Sequence, residues 1–339
     1  MATKMDIVSP KSPSRLGADT KKGATVFLSH VRRTFARHPV DFTGELVRLM
    51  DDIANFTSVV ATAVTESSVV SEYSGHRAHD VLGTVTSEGA TESLYRLLAH
   101  DGYCCIILSK SCPQPLTFPE GVPHGNYVVC VSPLEHDPVT GAGIGSGTLF
   151  SIYKRRSSAS LPGRGVDLKQ KLADQVAAGY CSYSSATTLH YTMGHGTFSF
   201  VMHPVANQYF LQPNLPLTIP DNSKIIYCDR DVLQSKSPLA EAAKPLLNSA
   251  EHRVSSTGNL VSDLYLLLRT GGVLIAQKVH LLCEAAAIAY IVEQAGGVAI
   301  DEFGDRILDR IITDDYDVHV TLIIGGKPCL LYTSDAADD

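Results

Sequence analysis

Apolar positions along the chain change their period several times, and each change marks a structural element. Phe27, Val31 and Phe35 recur every four residues, which predicts an amphipathic helix over 25–37. From Thr43 the set Leu46, Leu49, Met50, Ile53, Phe56, Val59, Val60 and Val64 keeps the helical period, with Thr43 as N-cap and Glu45 in the first turn. A Ser/Gly/His-rich loop at 66–87 interrupts the pattern, and a short helix over 92–98 leads into a strand at 103–109. The run Val128–Val131 reads as a buried strand that stops at Ser132-Pro133, followed by a turn with Glu135, His136 and Asp137 side by side.

A strand over 147–154 and a Ser/Gly loop at 156–166 come next. The segments AAGYCSYSSATTLHY, TFSFVMHP, NQYFLQ and SKIIYC are strand-rich. A helix over 260–268, a strand over 273–276, a helix over 284–295 and strands near 298–301 and 319–324 complete the chain. Strands and helices alternate irregularly and no repeat appears, which predicts an α/β (α+β) layered protein.

Composition narrows the function classes. A chain of 339 residues with 44% hydrophobic and 19% charged residues can bury a large core. The net charge of −7 and the lack of a basic face argue against a nucleic-acid polymer as partner. No apolar run approaches the ~20 residues of a transmembrane segment. Eight scattered cysteines without a C-x-x-C pair read as reduced thiols in a reducing compartment, either cytoplasm or an organelle (mitochondrion or plastid).

Several short patterns lead nowhere. The glycine-rich stretch at 141–147 misses the G-x-G-x-x-G spacing, and a strand follows where a phosphate loop needs a helix. His76, His79 and Asp80 have metal-like spacing but no further ligand nearby in sequence. His190, His195 and His203 read as structural histidines, and no nucleophile elbow exists.

Five blocks in order carry a family resemblance: TGEL at 43–46, VVCVSPLEHD…GTLFSIYKRR, AAGYCSYSSATTL, FVMHP and KVHLLCEAAAIAYIVEQAGG. Together they resemble fructose-1,6-bisphosphatase, with sedoheptulose-1,7-bisphosphatases as near relatives, over about residues 26–326. The resemblance implies a five-layer α/β/α/β/α sugar-phosphatase fold, commonly a homotetramer. It also implies hydrolysis of a sugar 1-phosphate by water activated on Mg²⁺. On this basis the chain divides into a polar arm (1–24), an N-terminal half (25–205), a C-terminal half (206–328) and a tail that reads as non-native (329–339).

Mapped residue by residue, the family's metal-binding turn D-P-L-D-G-S-S falls on Ser132-Pro133-Leu134-Glu135-His136-Asp137-Pro138. Its S-E-E falls on Ser109-Lys110-Ser111, so a cation replaces anions. A further aspartate position falls near Ser87, with Asp80 or Glu88 as alternatives, and only Glu284 matches a metal-ligand glutamate cleanly. Lys278 matches the lysine that contacts sugar phosphate. Asp229 stands at a substrate asparagine, and Ser255-Ser256 at an Arg-Tyr pair from the neighbouring subunit. The family's AMP site maps to Thr43, Gly44, Glu45, Leu46, Tyr127 and Lys154.

These replacements lead to the expectation that the magnesium site is lost and no cofactor is held. Ser132, Glu135, His136, Asp137, Lys110 and Ser111 would be catalytic vestiges, and Lys278 and Asp229 vestiges of substrate binding. Lys110 is expected to pair with Glu135 and Glu284 in place of the metal. The chain then reads as a catalytically inactive, fructose-bisphosphatase-like accessory subunit or regulatory partner, joined to other protein subunits or to its own copies. One alternative is a divergent Mg²⁺-dependent sugar-bisphosphate phosphatase using Glu135 and Glu284 as metal ligands, with Asp137 and Asp80 as further carboxylates. The other is an AMP- or sugar-phosphate-binding sensor without turnover.

Overall fold

Two β-sheets, with helices outside one of them and between the two, form the protein; a computed structural model describes residues 24–38, 44–73, 85–135, 145–212, 216–221, 223–228, 232 and 252–326. The first sheet contains β1 (Cys104–Ser109), β2 (Leu116–Thr117), β3 (Tyr127–Glu135), β4 (Ser146–Lys154), β5 (Gln175–Tyr183), β6 (Thr188–Thr192), β7 (Thr197–His203) and β8 (Gln208–Leu211). Its order is β2-β1-β3-β4-β5-β6-β7-β8, antiparallel except for the β1/β3 pair. The second contains β9 (Ile225–Cys228), β10 (Arg253–Ser255), β11 (Val273–His280), β12 (Gly297–Ile300) and β13 (His319–Gly326), in the order β10-β9-β11-β13-β12.

Helices α1 (Phe27–Arg37), α2 (Gly44–Tyr73) and α3 (Ser87–Asp101) share an apolar core with the outer face of the first sheet, through residues such as Met50, Leu94, Val129 and Phe200. A short helix, α4 (Gly165–Leu168), follows β4. Helices α5 (Leu260–Thr270) and α6 (Ala286–Gln294) lie in the other core, where Leu149 and Tyr180 of the first sheet meet Leu274 and Leu322 of the second. Because both faces of the central strands are covered, β1 is buried at every position and reads as a continuous apolar run.

Local sequence explains where the elements differ from expectation. Helix α2 runs to Tyr73 because no glycine or proline interrupts it before Gly75. Helix α3 starts at Ser87, since the Thr86 hydroxyl accepts the Gly89 N–H at 3.0 Å and caps it early. Its other end needs Gly102 at φ 68°, and a β-carbon there would lie 2.7 Å from Pro123.

Two strands run further than expected, and both extensions reach the candidate site. Strand β3 does not stop at Pro133; it continues to Glu135 through a register shift between Ser132 and Glu135. Proline has no N–H for a ladder, so the irregularity forms there while Thr148 donates to the Pro133 carbonyl at 2.7 Å. Strand β11 continues past Ala276 to His280 with a second shift between Ala276 and Val279, and Lys278 adopts φ 56° within it. A π-helical turn over Leu281–Ala285 then leads into α6.

Candidate active site

Three elements bring together side chains that are far apart in sequence. Lys110 follows β1, Glu135 ends β3, and Glu284 sits in the π turn after β11. The Lys110 Nζ donates to Glu135 Oε2 at 2.8 Å and to Glu284 Oε1 at 2.5 Å. Its backbone N–H is anchored to the Val131 carbonyl at 2.9 Å. The buried Ser132 hydroxyl lies 3.1 Å from Glu284 Oε1 and 3.3 Å from Glu135 Oε2. The second oxygen of Glu284 accepts the His280 N–H at 2.9 Å, while the His280 Nδ1 accepts the Cys283 N–H at 3.2 Å. The ion triad expected from sequence is therefore present.

Exposure differs sharply within the triad: the Glu284 side chain is 2% exposed and that of Lys110 34%. Burial raises the Glu135 carboxyl to about 7, helped by the adjacent Glu284, with Lys110 pulling the other way. Burial also opposes ionisation of Glu284, but hydrogen bonding with Glu135, the Lys110 charge and the His280 N–H outweigh it and hold this carboxyl low. Burial acts against the Lys110 cation, yet its two carboxylate partners raise it above the ordinary lysine value. Glu284 is thus the firm anion, and Glu135 is the carboxyl that can change protonation near neutrality.

Beside the triad lies a group of hydroxyls satisfied within the protein. Thr91 Oγ1 is 2.7 Å from both Ser109 Oγ and Ser111 Oγ, and the Ser87 hydroxyl donates to the Leu134 carbonyl at 3.0 Å. Positions that the resemblance assigns to metal-binding carboxylates thus hold neutral groups already in use.

The triad lines a cavity of about 160 Å³ together with Asn259, Asp263 and Lys278. Lys278 reaches it from a left-handed backbone that costs a non-glycine residue roughly 1–2 kcal/mol, strain of a kind concentrated at functional sites. Asn259 caps α5: its Oδ1 accepts the Ser262 N–H at 2.9 Å, which turns the Nδ2 amide away from the helix. The residue is 4% exposed, and its Nδ2 has no hydrogen-bond partner. Sequence reasoning did not single out Asn259, although an asparagine just before an apolar helical run is a readable N-cap.

A divalent metal does not fit these donors. Among the described residues no cluster of three His, Cys, Asp or Glu side chains could hold an ion. Glu135 and Glu284 already share an ammonium, and a doubly charged ion about 4 Å from that ammonium would be repelled by about 8 kcal/mol at an effective dielectric constant of about 20. Chemistry in this cavity is derived from its own side chains.

Other expected residues are placed as follows. Gly44, Glu45 and Leu46 open α2, and Glu45 Oε2 accepts the Asn126 amide at 2.8 Å. Tyr127 is buried in the outer core, across the β3/β4 pairing from the exposed Lys154. Ser111 lies in the hydroxyl group above, and Ser255 ends β10. Thr43, His76, His79, Asp80, His136, Asp137 and Asp229 lie outside the described residues. The described cysteines are all free thiols, and burial pushes Cys105 and Cys130 up to about 12. No helix among the described residues is long and apolar enough to cross a membrane.

Comparison with known proteins decides the family. The profile of "Fructose-1-6-bisphosphatase, N-terminal domain" matches residues 31–213, more than half of the chain. The protein from Maridesulfovibrio salexigens named fructose-1,6-bisphosphatase class 1 is 30% identical over 309 residues, covering 84% of this chain and 89% of its own. This chain belongs to the fructose-1,6-bisphosphatase family. Another class 1 fructose-1,6-bisphosphatase, from Leptospira biflexa, is 31% identical over 244 residues, covering 67% of this chain and 70% of its own. Among solved structures, the holo form of Leishmania major fructose-1,6-bisphosphatase superposes with a TM-score of 0.80 at 22% identity, covering 93% of this chain and all of that one. The mixed α/β fold with two sheets is that of the family.

These relatives overturn the expectation of an inactive accessory subunit. They are named as enzymes, and the match runs through both halves of the fructose-1,6-bisphosphatase chain. Lys278, Asn259 and Asp263 line the same cavity as the triad.

Proposed function

We propose that this chain is a divergent sugar-bisphosphate phosphatase that removes the 1-phosphate of fructose 1,6-bisphosphate. The observation that carries the reading is a single cavity lined by two ammonium groups, Lys110 and Lys278, by the unpartnered Asn259 amide and by the carboxyls of Glu135, Asp263 and Glu284, of which Glu135 has a raised pKa. The names of the relatives supply the substrate class.

In this reading the lysines receive phosphate oxygens through charge-assisted hydrogen bonds, and Asn259 Nδ2 donates to a further oxygen of the substrate. Glu135 takes the proton of the attacking water as the new P–O bond forms and the bond from phosphorus to the sugar oxygen breaks. The departing sugar oxygen takes a proton from solvent water while the proton on Glu135 returns to solvent, leaving inorganic phosphate and the sugar monophosphate.

Purified full-length protein incubated with fructose 1,6-bisphosphate, with phosphate release followed by a coupled dye assay, tests the reading. Saturable release that falls in Glu135→Gln is the expected outcome. No release across pH 6–9, with and without added Mg²⁺, would reject it.

A further inference from the structure

We propose that the Lys110 ammonium is the resident cation of this cavity, holding the ground between Glu135 and Glu284 where a divalent ion would otherwise sit, so that phosphate is bound without metal. The catalytic part of this inference rests on the phosphatase reading; the cation-binding part does not.

Lys110 Nζ is within hydrogen-bond distance of one oxygen from each carboxylate, and those same oxygens are the ones that face the Ser132 hydroxyl. Lysine carries three N–H donors, and these contacts use two. The third is left for a ligand, and the side chain is 34% exposed at the cavity wall. A metal at the same point would have to displace the ammonium while drawing on the same two oxygens.

The neighbouring groups agree with a monovalent occupant. Ser132, Ser109, Ser111 and Ser87 contribute hydroxyls that are bonded within the protein and bring no negative charge. One ammonium needs about one full negative charge to balance it. Glu284, whose side chain is 2% exposed and whose Oε1 meets the ammonium directly, is placed to supply that charge. Lys278, which lines the same cavity, adds a second cation for the phosphate to meet.

The lysine also does what a metal could not. It is covalently tethered between β1 and the rest of the site, so its charge cannot be chelated or exchanged. Phosphate affinity then responds to ionic strength and to nothing that removes metals.

Titration of the full chain with Mn²⁺, followed by the loss of the free-ion electron paramagnetic resonance signal, tests the proposal on wild type, Lys110→Gln and Lys110→Arg. Wild type and Lys110→Arg are expected to bind Mn²⁺ only weakly, whereas Lys110→Gln, left with two facing carboxylates, binds about tenfold tighter or more. Bound Mn²⁺ should raise the melting temperature of Lys110→Gln and leave that of wild type unchanged. Tight Mn²⁺ binding by wild type, or equal affinity in all three proteins, would overturn the proposal. Should Lys110→Gln fail to fold, phosphate release by wild type decides: activity retained in excess chelator supports the inference, and activity that appears only with added divalent ion overturns it. A chain that releases no phosphate under any condition rejects the phosphatase reading, while wild-type Mn²⁺ affinity still decides the role of Lys110.

Discussion

The Ser132 hydroxyl lies 3.1 Å from Glu284 Oε1, joining the end of β3 to the π turn before α6. The serine is fully buried, and it also faces Glu135 Oε2. Removing this hydroxyl takes away a donor that the two carboxylate oxygens share besides Lys110, in a buried setting. Ser132→Ala is expected to lose about 1.5–3 kcal/mol of stability, as for hydrogen bonds to charged groups. Urea unfolding at pH 7.5 measures it, and a loss below about 0.5 kcal/mol would show that Lys110 alone satisfies the pair.

Lys278 pairs backbone strain with a cavity position, so one substitution separates its two roles. Lys278→Gly removes the cost of the left-handed backbone at φ 56° and is expected to raise stability by about 1 kcal/mol. The same change removes a phosphate ligand, and KM for the bisphosphate should rise about tenfold or more. A variant that is less stable, with KM unchanged, would mean the lysine is structural.

Asn259 admits a comparable separation. Asn259→Asp keeps a side-chain oxygen for the Ser262 N–H but replaces the unpartnered amide with a second oxygen. Stability is expected to stay within about 0.5 kcal/mol, since aspartate and asparagine cap helices about equally well. KM should rise about tenfold, because a donor has become an anion facing phosphate. Equal KM in the two proteins would remove Asn259 from the substrate contacts.

Acid is expected to weaken the fold through histidines that burial holds below their usual value, of which His190 and His30 lie away from the cavity and His280 beside it. Burial lowers His190 from 6.5 to about 3, where it stacks on Tyr180 with 4.4 Å between ring centres, and lowers His30 to about 4 with help from Arg33 and Arg37. Below pH 6.5 the unfolded chain takes up protons that the folded chain refuses, so stability is full above that value and falls as pH drops towards the folded values. For the fully buried His190 the slope is about 1.4 kcal/mol per pH unit between roughly pH 6 and pH 4. Urea midpoints measured at intervals across this range check it. A His190→Gln chain with the same acid slope as wild type would assign the loss elsewhere.

Much of this arrangement can be read from the amino-acid sequence, for reasons that differ by element. Periodicity located α1 and the start of α2 because Phe27, Val31, Leu46 and Met50 are core residues of one sheet face. The Lys110–Glu135–Glu284 triad was legible because a cation stood where the family pattern puts anions, and charge balance left it few partners. The passage of β3 through Pro133 was not legible: the rule that proline ends ladder pairing holds locally, but the register shift lets the strand resume and delivers Glu135 to the cavity. Asn259 escaped notice because only the fold brings α5 and the β11 bulge to one cavity. The expectation of inactivity failed for a related reason, since the missing carboxylates outweighed Lys278 in the sequence mapping and Asn259 was not registered at all.

The central claim is that the cavity hydrolyses one phosphate of a sugar bisphosphate. Phosphorus NMR of wild-type protein mixed with fructose 1,6-bisphosphate follows both esters and free phosphate at once. The account requires the C1 ester resonance to decline as inorganic phosphate grows, with the C6 ester retained as a monophosphate. Two ester resonances that persist unchanged beside folded protein would contradict it.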